Sequence, residues 1–464
     1  MVRKQINTVL IILSAACILL TASCKPDVQS REDFLKDLKH RTFNFFWDTE
    51  DKTTGQIPDR YPTHYFTSIA ATGFGLTSYI IGVENNYISR QQAEERVEKT
   101  LTWLWNSKQG ADTSGTSGFQ GFYYHFLTYD EGIRFKNVEL STIDTGWLMA
   151  GILACQSYFQ GETPREQNIR SLADSLFLRV NWEWAMEGKE TMSMGWHPEK
   201  GFIPARWEGY DESMMLIILG LGSPTYPIHD SAWNSWCKTN VWAEFKGREF
   251  LNFGPLFGHQ YSHMFIDFRD IFDPYMSEKG IDYFENSRRA TLSNRQYCID
   301  NPGNFDSYGE NIWGLTACDG PADIIQADTL QFRTYWARGA AVTGIGDDGT
   351  IAPTAAGGSI PFAPEICIEA LYTMKNTFGD SLYQEYGFKD AFNMTYTYPG
   401  SEQKGWFNKD YLGIDQGPIL IQLENYQTEL IWDLMKKNKY IINGLKRAGF
   451  KGGWLDEPTF TSNI

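Results

Sequence analysis

The chain has 464 residues, of which 42% are hydrophobic and 21% charged, enough apolar surface for a sizeable core. A net charge of −16 argues against a nucleic-acid backbone or an anionic membrane surface as partner. Aromatics reach 15%, with 16 Trp, 24 Tyr and 30 Phe, which suits a neutral polar ligand that stacks on rings.

The N-terminus reads as an export signal. Arg3 and Lys4 supply the charged start, Val9 to Leu20 the apolar run, and Thr21-Ala22-Ser23-Cys24 the pattern of a bacterial lipobox. The run is too short to span a bilayer. Residues 1–24 are therefore set apart, with Cys24 as the expected lipidation site. Lys25 behind it favours the outer membrane of a Gram-negative bacterium, on its periplasmic or surface side. The lipid would be the link to the membrane. Cys155, Cys237, Cys298, Cys318 and Cys367 are widely spaced without a C-x-x-C, so buried free thiols are expected.

From there two kinds of helical segment alternate. Arg31 to Asp48, Ser89 to Trp105, Thr163 to Trp184, Ser231 to Phe250, Ser277 to Tyr297 and Asp380 to Asn393 are read as amphipathic; Ser89 and Gln92 form a capping box. Tyr65 to Ile81, Thr142 to Phe159, Tyr210 to Leu221, His259 to Phe268, Phe362 to Phe378 and Asp415 to Met435 are apolar nearly all round and must be surrounded by others. Six of each predict an all-α, single-domain (α/α)6 toroid over residues 25–455. Strand signals are short, chiefly in loops such as Phe119 to Phe126. Two long segments, Ser107 to Glu139 and Asp300 to Pro361, interrupt the alternation; loops of that length are usually functional.

In such a toroid the inner helices all begin at one mouth. Carboxylates stand at these starts: Asp144, Asp211 and Glu212, Glu365, and Asp415 with Gln416. Rings crowd beside them, including Trp147, Trp196, Trp207, Tyr210, Phe257 and Trp313. Two carboxyl groups and flat apolar rings are what glycosidic cleavage needs. Each has a competing structural reading, since the macrodipole favours acids in a first turn. Asp415 sits where an N-cap is expected, with Pro418 in the first turn. His259 and His263 stand at i and i+4 but lack the Glu of H-E-x-x-H, so no metal and no cofactor is expected. Asp347-Asp348-Gly349-Thr350 reads as a turn.

Three stretches carry a resemblance: Trp313 to Pro321 (WGLTACDGP), Asp347 to Pro364 (DDGTIAPTAAGGSIPFAP) and Tyr411 to Tyr426 (YLGIDQGPILIQLENY). Together they resemble the bacterial glycoamylase-like domain, here spanning 235–450. The whole mature chain is similar to glycoside hydrolase family 144, (α/α)6 enzymes acting on β-1,2-glucan. Cys318 departs from the Ser expected in the first stretch. The resemblance implies an anomer-inverting hydrolase, endo-acting or releasing sophorose from a chain end. It implies Glu212 as general acid and Asp415 as general base, with Glu424, Asp144 and Asp211 as rival carboxylates. Asp144, Trp147, Trp207, Tyr210, His259, Tyr261, Trp313 and Glu424 are the expected sugar-binding residues, in a protein acting as a monomer. The alternatives are a glucoamylase-like hydrolase of another glucan and a non-catalytic glycan-binding surface lipoprotein. A polysaccharide lyase would need basic residues at the helix starts, where they are sparse.

Overall fold

Five helices of the N-terminal half follow closely from their caps and spacing. They are α1 (Val28–Thr49), α2 (Ile69–Glu84), α3 (Arg90–Asn106), α4 (Thr142–Tyr158) and α5 (Pro164–Arg179). The Ser68 side chain accepts from the Ala71 amide, Ser141 from Asp144 and Thr163 from Glu166, while Ser89 and Gln92 close the predicted capping box. The computed structural model describes residues 28–326 and 330–457. The export signal and Cys24 lie outside them.

Helices α2 and α4 are buried on almost every side, whereas α3 and α5 bury one face. They pack as the alternation requires, α2 on α4 and α3 on α5. Glycine sets how close the first pair comes. A β-carbon at Gly73 would run into the Trp147 carbonyl, and one at Gly151 into that of Gly73. The backbones therefore touch, and Trp147 is held at a fixed height in the wall. Further on, α6 (Met214–Gly222) is buried throughout and packs on α4. Then come α7 (Tyr283–Asp300), α8 (Pro364–Phe378), α9 (Gly413–Thr428) and α10 (Lys439–Arg447). Helix α9 returns against α2, and α10 covers α6.

The second half departs from expectation. His259 to Phe268 is no helix: short 3-10 turns at Leu256–His259 and Ser262–Met264 lead into irregular chain. Phe362 to Phe378 does hold a helix, but α8 buries only Cys367, Ala370, Leu371 and Met374, so it is amphipathic rather than inner. The buried turn Pro353–Gly357 packs on both α8 and α9. Asp380 to Asn393 forms strands, and Ser231 to Phe250 is one short helix followed by a hairpin. Tyr65 lies outside α2 and is 68% exposed.

Strands are more numerous than an all-α reading allows, and their place matters. Thr67–Ser68, Leu140–Ser141 and Tyr411–Leu412 run directly into α2, α4 and α9. Each pairs sideways: Thr67–Ser68 with Ile57–Pro58 and Phe126–Leu127, Leu140–Ser141 with Tyr123–Tyr124 and Trp196, and Tyr411–Leu412 with Arg60–Tyr61. These ladders tie the three helix starts together at one end of the molecule.

Candidate active site

At that end lies a cavity of about 420 Å³. Ile143, Asp144 and Trp147 reach it from α4, Ala70 from α2, Leu412 and Ile414 from the start of α9, and Glu212 from the turn before α6. Tyr261 and Phe257 come from the 3-10 turns; Asp59, Arg60, Phe66, His125, Phe126, Ala317 and Tyr335 complete the wall. Trp147 and Tyr261 meet edge-on at 5.6 Å.

Pro418 explains how Tyr261 is placed. It lies inside α9 rather than in its first turn, and it has no N–H for the Ile414 carbonyl. The Tyr261 hydroxyl donates to that carbonyl at 2.8 Å. One imino acid thus creates the acceptor that fixes a cavity ring.

Glu212 is the strongest acid candidate. Removal from water, then the neighbouring Asp211 and the Asp144 charge, push its carboxyl well above the usual range. Asp211, itself pushed up to about 6 by burial, is engaged by the Ser213 amide and hydroxyl and by the Trp236 indole. Asp144 is the third residue of α4; it hydrogen-bonds the Ser141 hydroxyl and lies 3.6 Å from His125 Nε2. His125 Nδ1 is 2.7 Å from Glu139. Burial opposes a charge on this imidazole, but Asp144, Glu139 and Asp59 raise it to about 9, so it is a cation at neutral pH.

Asp415 is not the cap of α9. Leu412 holds that position and Asp415 is the third helical residue, 3% exposed behind Ile414 and Leu412. Burial, then Asp390, raises its carboxyl well above the ordinary range; Asp390, buried beside Asp319, rises to about 7. The two carboxyls are within hydrogen-bonding reach. Asp390 Oδ1 and Asp415 Oδ2 are the oxygens left without a donor. One proton shared between them satisfies both. Asp390 Oδ2 accepts from Asn408 at 2.7 Å and the Asp319 amide at 3.0 Å, and Arg60 bridges Asp59 and Asp319.

Five expected sugar contacts are elsewhere. Glu424 is 1% exposed and paired with Lys39 at 2.5 Å, some nine residues beyond Asp415 and so about 14 Å along the helix. His259 is fully buried, bonded to the Phe253 carbonyl at 3.1 Å and lowered to about 4 by burial. Trp313 is core. The Trp207 indole donates to Thr142, and Tyr210 stacks on Tyr283. Both rings are enclosed because neighbouring chain covers them. Asp144, Trp147 and Tyr261 do line the cavity. Asp59, Arg60, His125 and Glu139 were missed, since they lie in or beside two- and three-residue strands with no helical start to mark them.

A helix-rich fold whose cavity gathers a protonated carboxyl, a second carboxylate and aromatic rings defines a class, the glycan-active enzymes. The family described as "Putative glucoamylase" (Glycoamylase) matches residues 204–439, and the chain belongs to it. A Bacteroides uniformis protein of that same description is 32% identical; the match covers 92% of this chain and 99% of that one, with a TM-score of 0.79. The endo-β-1,2-glucanase of Chitinophaga pinensis, in complex with sophorotriose and glucose, is 28% identical over 91% of this chain and 99% of its own, again at 0.79. The exo β-1,2-glucooligosaccharide sophorohydrolase (non-reducing end) of Parabacteroides distasonis is 27% identical over 461 residues. That match takes in 92% of this chain but only 59% of the longer relative.

Proposed function

We propose that the chain is a glycoside hydrolase cleaving β-1,2-linked glucan. The observation that carries the reading is Glu212, held protonated by burial and by Asp211 and Asp144, in a cavity walled by Trp147, Tyr261 and Phe257. A carboxyl that keeps its proton near neutrality can deliver it to a leaving glycosidic oxygen. The rings offer flat faces to the apolar sides of glucose units. The relatives acting on β-1,2-glucan supply the linkage.

In this reading Glu212 is the general acid and Asp415 the base. Asp415 can accept a proton from water when the shared proton rests on Asp390; burial raises its basicity above that of a solvated carboxylate. Asp144 binds and orients the sugar. A second reading exchanges these last roles, favoured by Asp144 lining the cavity while Asp415 stands behind it. We also propose that the helices close as an (α/α)6 toroid, with the turns at 256–264 and 353–357 in place of two inner helices. Lipid attachment at Cys24 completes the reading; Cys24→Ser would release the protein from membranes.

The test is incubation with linear β-1,2-glucan, laminarin, cellulose oligomers and starch, followed by product sizing. Sophorose-series products from the first substrate are expected. Intact β-1,2-glucan beside hydrolysed starch or laminarin would overturn the substrate assignment.

A further inference from the structure

His125 lies where two mouth ladders meet. Its amide donates to the Glu139 carbonyl and its carbonyl accepts from Ile69, the first residue of α2. The ring lies on Phe126 with centroids 3.9 Å apart and planes 24° from parallel, so its orientation is fixed. Nδ1 meets Glu139 Oε1 at 2.7 Å, and Nε2 points to Asp144 Oδ2 at 3.6 Å. Glu139 is within hydrogen-bond distance of Nδ1 and Asp144 within ion-pair distance of Nε2, so negative charge at both ring nitrogens favours the imidazolium cation. Glu139, half-buried, therefore does for His125 what a carboxylate partner does for any histidine that must face one way.

We propose that His125, braced by Glu139, is a positioning residue that holds the Asp144 carboxylate aimed into the cavity. The proposal rests on reading the cavity as the hydrolytic site. It follows chemically from the order of the groups. Asp144 contributes to keeping Glu212 protonated. If the Asp144 carboxylate turned away, Glu212 would lose part of that support and the cavity would lose its second carboxylate. A fixed cation beside Asp144 prevents this. The other charged groups facing His125 are Asp59 from the loop before α2, with Arg60 next to it, and Glu212 across the cavity. His197, on the paired strand, acts on Glu139.

A purely local staple between two strands would affect stability alone, so the test reads ionisation. In wild type, kcat/KM against pH on β-1,2-glucan is compared with His125→Gln and Glu139→Gln, each shown folded by circular dichroism. His125→Gln should lower kcat/KM by at least about tenfold, and Glu139→Gln should bring the basic limb down by about one pH unit. A wild-type kcat/KM in folded His125→Gln with a basic limb unmoved within about 0.3 unit in folded Glu139→Gln would overturn the proposal. A second arm needs no substrate. Nitrogen-15 NMR of labelled histidine should show His125 titrating near 9. Asp144→Asn should lower that value by about one unit or more. An ordinary titration near 6.5, indifferent to Asp144→Asn, would overturn the proposal by itself. If the coupling appears by NMR while wild type leaves β-1,2-glucan intact, the substrate reading fails and the positioning role stands.

Discussion

Replacing Lys39 by Met isolates the role of Glu424, which its sequence context marks as catalytic and its surroundings mark as structural. Lys39 is 4% exposed on α1, and its Nζ meets Glu424 Oε2 at 2.5 Å and Asn85 Oδ1 at 3.2 Å. Glu424 also accepts from Asn85 at 3.0 Å and Thr428 at 2.8 Å. Methionine keeps most of the volume and removes the countercharge, leaving a buried carboxylate with two neutral donors. Breaking such a pair from one side costs about 3–5 kcal/mol. Unfolding entropy of about 2.1 cal/mol/K per residue makes one kcal/mol worth roughly 1 °C in a chain this long, so Tm should fall by about 3–6 °C. Lys39→Met/Glu424→Leu, which removes both charges, should recover most of the loss. Turnover of β-1,2-glucan well below Tm should stay within about twofold, since the pair lies about 14 Å from the mouth. Differential scanning fluorimetry and a reducing-sugar assay suffice. An unchanged Tm, or a folded Lys39→Met that loses a hundredfold or more in turnover, would refute the structural reading of Glu424.

Three further expectations follow from the cavity. Tyr261→Phe leaves the Ile414 carbonyl without its donor and should cost about 1–3 kcal/mol in urea unfolding; no loss would mean the bond freed by Pro418 is of no consequence. Glu212→Gln should alter the pH dependence of stability. Because the folded carboxyl is raised, native protein gains stability at low pH that is lost as pH rises from the ordinary value through the folded one. The Gln variant lacks this loss, so its Tm advantage over wild type should grow as pH rises above about 4.5, and a pH-independent difference would contradict the assignment. Asp415→Asn should reduce turnover by at least about a hundredfold with Tm unchanged or raised. Retained activity in that variant, with loss in Asp144→Asn, would transfer the base to Asp144.

The first half of the fold was readable because its helices are long, capped by Ser or Thr and clearly periodic. The second half hides its inner layer in pieces too short to show a period. Pro353–Gly357 spans barely one turn, while the run of Ile366, Ile368 and Tyr372 on α8 looks apolar all round although these side chains are only half-buried. Within the site, Glu212, Asp144, Trp147 and Tyr261 could be found because residues at a shared mouth are comparable. Residue type could not tell which rings face the void: Tyr210 sits as near to marked carboxylates as Trp147 does, yet other chain covers it. The one trace of His125 was the aromatic stretch Phe122-Tyr123-Tyr124-His125-Phe126, whose pairing only the folded chain reveals.

The central claim is that Glu212 protonates a β-1,2 linkage in this cavity. The direct measurement is proton NMR of linear β-1,2-glucan during digestion by wild type and by Glu212→Gln at equal folded concentration. The account predicts new reducing-end anomeric signals from wild type, first of the inverted anomer, and a rate at least about a hundredfold lower from Glu212→Gln. Equal rates from the two proteins, or no cleavage by either, would contradict it.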